Sequence, residues 1–145
     1  MESMMRYVNR TARLSTLYRN EKLKAYGLKG IHHSYILNIC RNPGIPQGKL
    51  AQMIFVDKSN VARQLATLEK NAYVYRVPSQ VDGREQLVYP TEKAFEILPI
   101  VSKTLKEWNE DILVDFTQEE KEQLIEAMKK IMGRAKEIVD HLPNE

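Results

Sequence analysis

Residues 47–70 read QGKLAQMIFVDKSNVARQLATLEK. Leu50, Ala51 and Ile54 give the span Gln47–Ile54 one apolar helical face. Asp57 can open a second helix by accepting from the free backbone N–H of Ser59 or Asn60. Beyond it Val61, Leu65 and Leu68 step by four and three residues, so one stripe of that helix is suited to burial. A very short turn joins the two spans, which is the arrangement of a helix-turn-helix. With the apolar stripe turned inward, the outer face of the second helix carries Lys58, Ser59, Asn60, Arg63, Gln64 and Thr67.

These side chains suit the major groove of duplex DNA. Arg pairs with O6 and N7 of guanine, and Asn or Gln pairs with N6 and N7 of adenine. Lys58 and Ser59 lie beside a helix N-terminus, where free N–H groups and the helix dipole attract phosphate. Downstream the period shifts from helical to alternating. Tyr73–Val77 and Gln86–Tyr89 are β-branched or aromatic runs flanking Asp82-Gly83, the signal of a hairpin with a loop longer than two residues. Arg84 at its tip can enter a narrow minor groove, where the negative potential is enhanced. Asp82 can hold that guanidinium in a charge-assisted pair, and Arg76 on the first strand adds an expected phosphate contact.

Upstream, Asn42-Pro43-Gly44 is a turn signal, and His32–Arg41 reads as a short helix with Tyr35, Ile36, Ile39 and Cys40 on its apolar face. Gly27 and Gly30 bracket a joint. The stretch from Ser3 to Ala25 spaces Met5, Val8 and Ala12 between Arg6, Arg10 and Arg13, as an amphipathic helix does. Two long helices close the chain. Ala94, Leu98, Val101, Leu105, Trp108 and Ile112 form one stripe, with Pro99 expected to kink it. Thr117-Gln118-Glu119-Glu120 is a capping box, followed by the stripe Leu124, Met128, Ile131, Ala135, Ile138 and Leu142. A sustained 3.5-residue apolar repeat calls for a helical partner. A homodimer is therefore expected, with Met5, Val8, Leu105, Trp108, Ile112, Ile131, Ile138 and Leu142 at its interface.

Composition narrows the function. The chain has 145 residues, 43% hydrophobic and 28% charged, with a net charge of +3. Residues 1–90 carry 14 Lys+Arg against 6 Asp+Glu, whereas residues 91–145 carry 8 against 13. The first part thus suits a polyanion. The longest apolar run, Ile97–Val101, is far too short for a membrane span. The N-terminal MESMMRYVNRTARL contains no signal-peptide core, so the cytoplasm is the expected compartment. One cysteine, and the adjacent His32 and His33, make neither a disulfide nor a metal site, and no cofactor is expected. No nucleophile-base pair or phosphate loop appears, so an enzyme is not expected.

Taken together, these pieces resemble the MarR (multiple-antibiotic-resistance regulator) family of winged helix-turn-helix transcription factors. The carrying residues are Asn42-Pro43-Gly44, Leu50-Ala51, Asp57 through Arg63, Leu68 through Val74, Asp82-x-Arg84 and Thr91-Glu92-Lys93-Ala94. The resemblance implies a mainly α (α+β) fold. A winged domain at 31–90 would lie between an N-terminal dimerisation helix at 1–30 and C-terminal dimerisation helices at 91–145. It also implies an obligate homodimer on a pseudo-palindromic operator, acting as a ligand-responsive repressor. Small anionic or aromatic effectors would bind in a cleft, with Arg10, Arg13, His32, Tyr35 and Ile36 as candidate residues. The competing readings are a redox-responsive regulator working through Cys40 and a non-catalytic helical scaffold. Pro46 stands where the family has a capping Thr or Ser, and Ala72 and Ala94 stand for customary glycines. Asn71 is expected to take up the left-handed conformation in place of the first of them.

Overall fold

The computed structural model of the chain describes residues 2–143. Among the described residues there are six α-helices: α1 (Met4–Leu23), α2 (His33–Arg41), α3 (Gln47–Ile54), α4 (Lys58–Lys70), α5 (Glu92–Ile112) and α6 (Gln118–Asp140). Three strands, β1 (Ile45–Pro46), β2 (Val74–Pro78) and β3 (Gln86–Pro90), form an antiparallel sheet in the order β1-β3-β2. Contacts divide the chain into two compact units, 1–108 and 109–145. α1 and most of α5 therefore belong to the same unit as the helix-turn-helix and the hairpin.

The first unit is built around the stripe anticipated on α4. Val61, Leu65 and Leu68 are fully buried, packed with Leu23, Ile36, Ile39, Leu50, Val88 and Val101. Pro99 lies inside α5, which continues through it to Ile112. β1 had no sequence signal, because two residues cannot display a period. Its partner creates it: the Gly44 N–H donates to the Val88 carbonyl at 2.8 Å, and Ile45 and Pro46 then pair with Val88 and Leu87. Gly44 has φ +85°, and a Cβ there would lie 3.1 Å from the Tyr89 side chain, so both backbone conformation and close approach favour glycine. Gly30 is required by close approach, since a Cβ would stand 2.6 Å from the Thr16 carbonyl oxygen. There α1 is clasped by two further bonds, from Arg19 Nε to the Gly30 carbonyl (2.9 Å) and from the Gly30 N–H to Asn20 Oδ1 (2.6 Å).

The end of α4 differs from expectation. Asn71 has φ −87°, and Ala72 takes the left-handed conformation at φ +66°. The helix closes as a Schellman motif, with Tyr73 N–H bonded to the Leu68 carbonyl and Ala72 N–H to that of Glu69. That pattern demands positive φ at the residue after the cap, which is Ala72. Asn71 uses its amide elsewhere, donating to the Gly27 carbonyl at 3.2 Å.

In the second unit, α6 opens on the expected capping box. Glu120 N–H donates to Thr117 Oγ1 at 3.2 Å, and Thr117 N–H donates to Glu120 Oε1 at 3.0 Å. These bonds hold the Glu120 carboxyl below its usual range. No residue of α6 is buried, and its apolar residues stand exposed apart from the half-buried Ile131. Among the described residues no helix is long and apolar enough to cross a membrane.

Candidate nucleic-acid interface

Asp57 caps α4 by accepting from Asn60 N–H at 2.8 Å, one of the two donors anticipated. Lys58, Ser59, Arg63 and Thr67 follow on the exposed face, with Asn60 half-buried. The Thr67 hydroxyl bonds back to the Arg63 carbonyl at 3.3 Å. Gln64 is placed differently from the rest of that set. It turns toward the domain, with Oε1 2.9 Å from His32 Nε2 and Nε2 donating to Asn60 Oδ1 at 3.3 Å.

The wing is ordered by its own loop. Ser79 Oγ accepts from the N–H groups of Val81 and Asp82, while Ser79 N–H donates to the Glu85 carbonyl. Asp82 Oδ1 accepts from Arg84 N–H at 3.1 Å and lies 3.7 Å from Arg84 Nε. The Arg84 side chain is nonetheless 97% exposed, so the pair orients the guanidinium without hiding it. Arg76 is engaged within the domain. Its guanidinium bonds both carboxylate oxygens of Glu69 at 3.4 Å and Gln47 Oε1 at 3.3 Å, which ties β2 to the end of α4 and the start of α3.

One contributor escaped the sequence reading. Pro46 precedes α3 and makes no side-chain cap. The Glu85 carboxylate reaches across from the wing and accepts from Gly48 N–H at 3.2 Å, supplying the acceptor that Thr or Ser would have brought. A cavity of about 200 Å³ lies beside it, lined by Gln47, Gly48, Lys58, Arg84, Glu85 and Gln86. The available signal was a proline at a cap, which leaves helix N–H groups in want of a distant acceptor.

The comparisons with known proteins agree with this geometry. Residues 26–85 match the family model MarR_2, described as MarR family. The HTH-type transcriptional regulator YybA of Bacillus subtilis is 30% identical over 131 residues, 90% of this chain and 87% of YybA. The chain belongs to the MarR family. A SlyA-like transcription regulator from Listeria monocytogenes has the same fold at TM-score 0.92 and 25% identity, covering 100% of this chain and 99% of that one. A second Listeria monocytogenes protein, solved as a complex with a 26mer DNA, superposes at TM-score 0.89 and 25% identity, with the same coverage.

Of the residues suggested for a MarR effector cleft, the structure brings His32 and Tyr35 together, with ring centroids 6.2 Å apart. Arg10 and Arg13 are exposed on α1, whereas His32, Tyr35 and Ile36 are buried in the core. None of them lines a second cavity of about 250 Å³, which is bounded by Tyr26, Tyr73, Lys93, Glu96, Ile97 and Ile100. There Lys93 Nζ sits 4.3 Å from the Tyr73 ring centroid and donates to the Asn71 carbonyl. Cys40 is buried, and burial raises its thiol pKa, the opposite of what an oxidant-sensing thiolate needs. Trp108 packs against Tyr18 of α1 with its ring tilted by 37° and the ring centroids 4.9 Å apart. Of the other expected interface residues, Met5, Ile112, Ile138 and Leu142 are exposed, and Val8, Leu105 and Ile131 are half-buried.

Proposed function

We propose that this MarR-family regulator binds duplex DNA as a homodimer, each copy laying α4 in the major groove and Arg84 beside it in a minor groove. The observation that carries the reading is the two-sidedness of α4. Its apolar stripe is fully buried, while Lys58, Ser59, Arg63 and Thr67 stand exposed on the opposite face beside a capped N-terminus. Dimerisation is supported by α6, 23 residues long with none buried, and by the exposed Met5, Leu14 and Leu17 of α1. Apolar surface on this scale needs a partner. Two copies related by a twofold axis match a pseudo-palindromic operator with half-sites one turn of duplex apart. Repression follows where that operator overlaps a promoter. A small anionic or aromatic effector would act by binding one state of the dimer better than the other. Lys93 and the tyrosines around the 250 Å³ cavity supply matching chemistry.

Fluorescence anisotropy with a labelled duplex from the protein's own promoter tests the reading. If Lys58 and Arg84 of both copies each neutralise a phosphate, log Kd against log salt has a slope magnitude of about 3–4. Binding that ignores salt, or no binding to any promoter fragment, overturns it.

A further inference from the structure

The reading face of α4 is braced by a buried histidine. His32 is 1% exposed, and its Nδ1 lies 3.0 Å from the backbone N–H of Lys29. A backbone N–H can only donate, so Nδ1 is the acceptor and carries no proton. Burial lowers the pKa of the ring, which is therefore neutral near pH 7, with its proton on Nε2. Nε2–H then donates to Gln64 at 2.9 Å, which requires the carbonyl end, Oε1, to face it. The Gln64 amide nitrogen is consequently the end turned to Asn60, where it donates to Oδ1 at 3.3 Å. Each link forces the next, from a backbone amide to the helix surface. The chain leaves the Asn60 Nδ2 donors as the end not engaged by Gln64.

We propose that His32 is a specificity-determining positioning residue: by holding the Gln64 and Asn60 amides in one sense, it makes Asn60 present hydrogen-bond donors to the base edges. This rests on α4 being the helix that enters the major groove. The base pair under Asn60 is then held to bases that offer an acceptor there, N7 or O6 of guanine, N7 of adenine or O4 of thymine. Cytosine, which offers its N4 amino donor, is disfavoured. Gln64, with Oε1 committed to His32, acts as a brace and does not form the bidentate adenine pair its residue type allows.

The test is selection from a randomised duplex pool, followed by anisotropy on the selected sites. It uses the full-length protein, His32→Gln, His32→Met and Gln64→Glu. The wild type selects a site in which one position excludes cytosine by roughly tenfold, the scale of one base-edge preference. His32→Gln keeps an N–H donor near the place of Nε2 and keeps the exclusion. His32→Met removes the donor, frees the Gln64 amide to turn over, and brings that position toward parity. Gln64→Glu still accepts from His32 but cannot donate. Asn60 then turns over to donate to the new carboxylate and shows Oδ1, so the preference moves to cytosine N4 and adenine N6. A merely structural role predicts weaker binding to every sequence with the same base ranking in all variants, and that result overturns the proposal. Gln64 is half-exposed, so Gln64→Glu carries the test even if His32→Met unfolds. If the wild type selects no sequence at all, the DNA-reading assignment itself falls. If the wild type selects and the variants keep its ranking, only the role of His32 falls.

Discussion

Replacing Glu85 with Ala removes the acceptor on Gly48 N–H and leaves the start of α3 without a cap, because Pro46 has none to offer. Loss of an N-cap costs about 1 kcal/mol, and loss of a carboxylate at a helix N-terminus about 0.3–1 kcal/mol. The bond is half-buried and also spans from wing to helix, so about 1–2 kcal/mol is expected in total. For a chain of this size that lowers Tm by roughly 3–6 °C. The decisive measurement is a double-mutant cycle with Pro46→Thr. Pro46 already has the extended backbone of a cap, φ −60° and ψ 138°, so a threonine hydroxyl there can take over the bond. In that background Glu85→Ala should cost less than half as much, giving a coupling of about 0.5–1 kcal/mol. Thermal melts at matched protein concentration read this directly, since the stability of a dimer depends on concentration. The same substitution removes a negative charge from beside Lys58 and Arg84, so DNA binding should strengthen at low salt while the fold weakens. Equal costs with Pro46 and with Thr at that position would refute the capping argument.

Ala72→Gly relieves a left-handed alanine at an exposed site and should stabilise the protein by about 1 kcal/mol, measured by denaturant midpoint. His32 and His33 are both held below their ordinary pKa by burial. The unfolded chain binds their protons more readily, so stability is fully present above about pH 6.5 and is lost as pH falls through the folded values. A Tm that holds steady or rises between pH 7.5 and 5 contradicts this. Ile138→Asp alters a residue 59% exposed in the single chain, where such a change costs within about 0.5 kcal/mol. In a dimer seam it should instead drive dissociation, visible by sedimentation velocity, and an unchanged dimer removes α6 from the interface. Arg84→Ala should cost about 1–3 kcal/mol of duplex binding with Tm unchanged, by anisotropy and calorimetry.

Where the chemistry is local, residue order alone was enough. Asp57 caps the helix it precedes, Thr117 and Glu120 close on each other across three residues, and the 4-and-3 stripe of Val61, Leu65 and Leu68 faces the core. These follow from helix geometry, which repeats every 3.6 residues and is written in the spacing of side chains. The hairpin was legible for the same reason, through its alternation and its Asp82-Gly83 loop. β1 was not, since two residues become a strand only when β3 lies alongside. The left-handed position after α4 was assigned one residue early, because composition favours Asn71 whereas the Schellman bonding pattern requires Ala72.

What tertiary structure decided is which of the polar residues are free to act. Arg76 and Gln64 have the right chemistry for DNA, yet one is engaged by Glu69 and the other by His32, partners 7 and 32 positions away. Glu85 looks like an ordinary loop carboxylate until the fold brings it to the bare end of α3, 37 residues upstream. Spacing along a chain records which face of a helix a residue occupies. It holds no record of the neighbour that another element brings against that face, and a hydrogen bond made across the fold is what turns a reader into a brace.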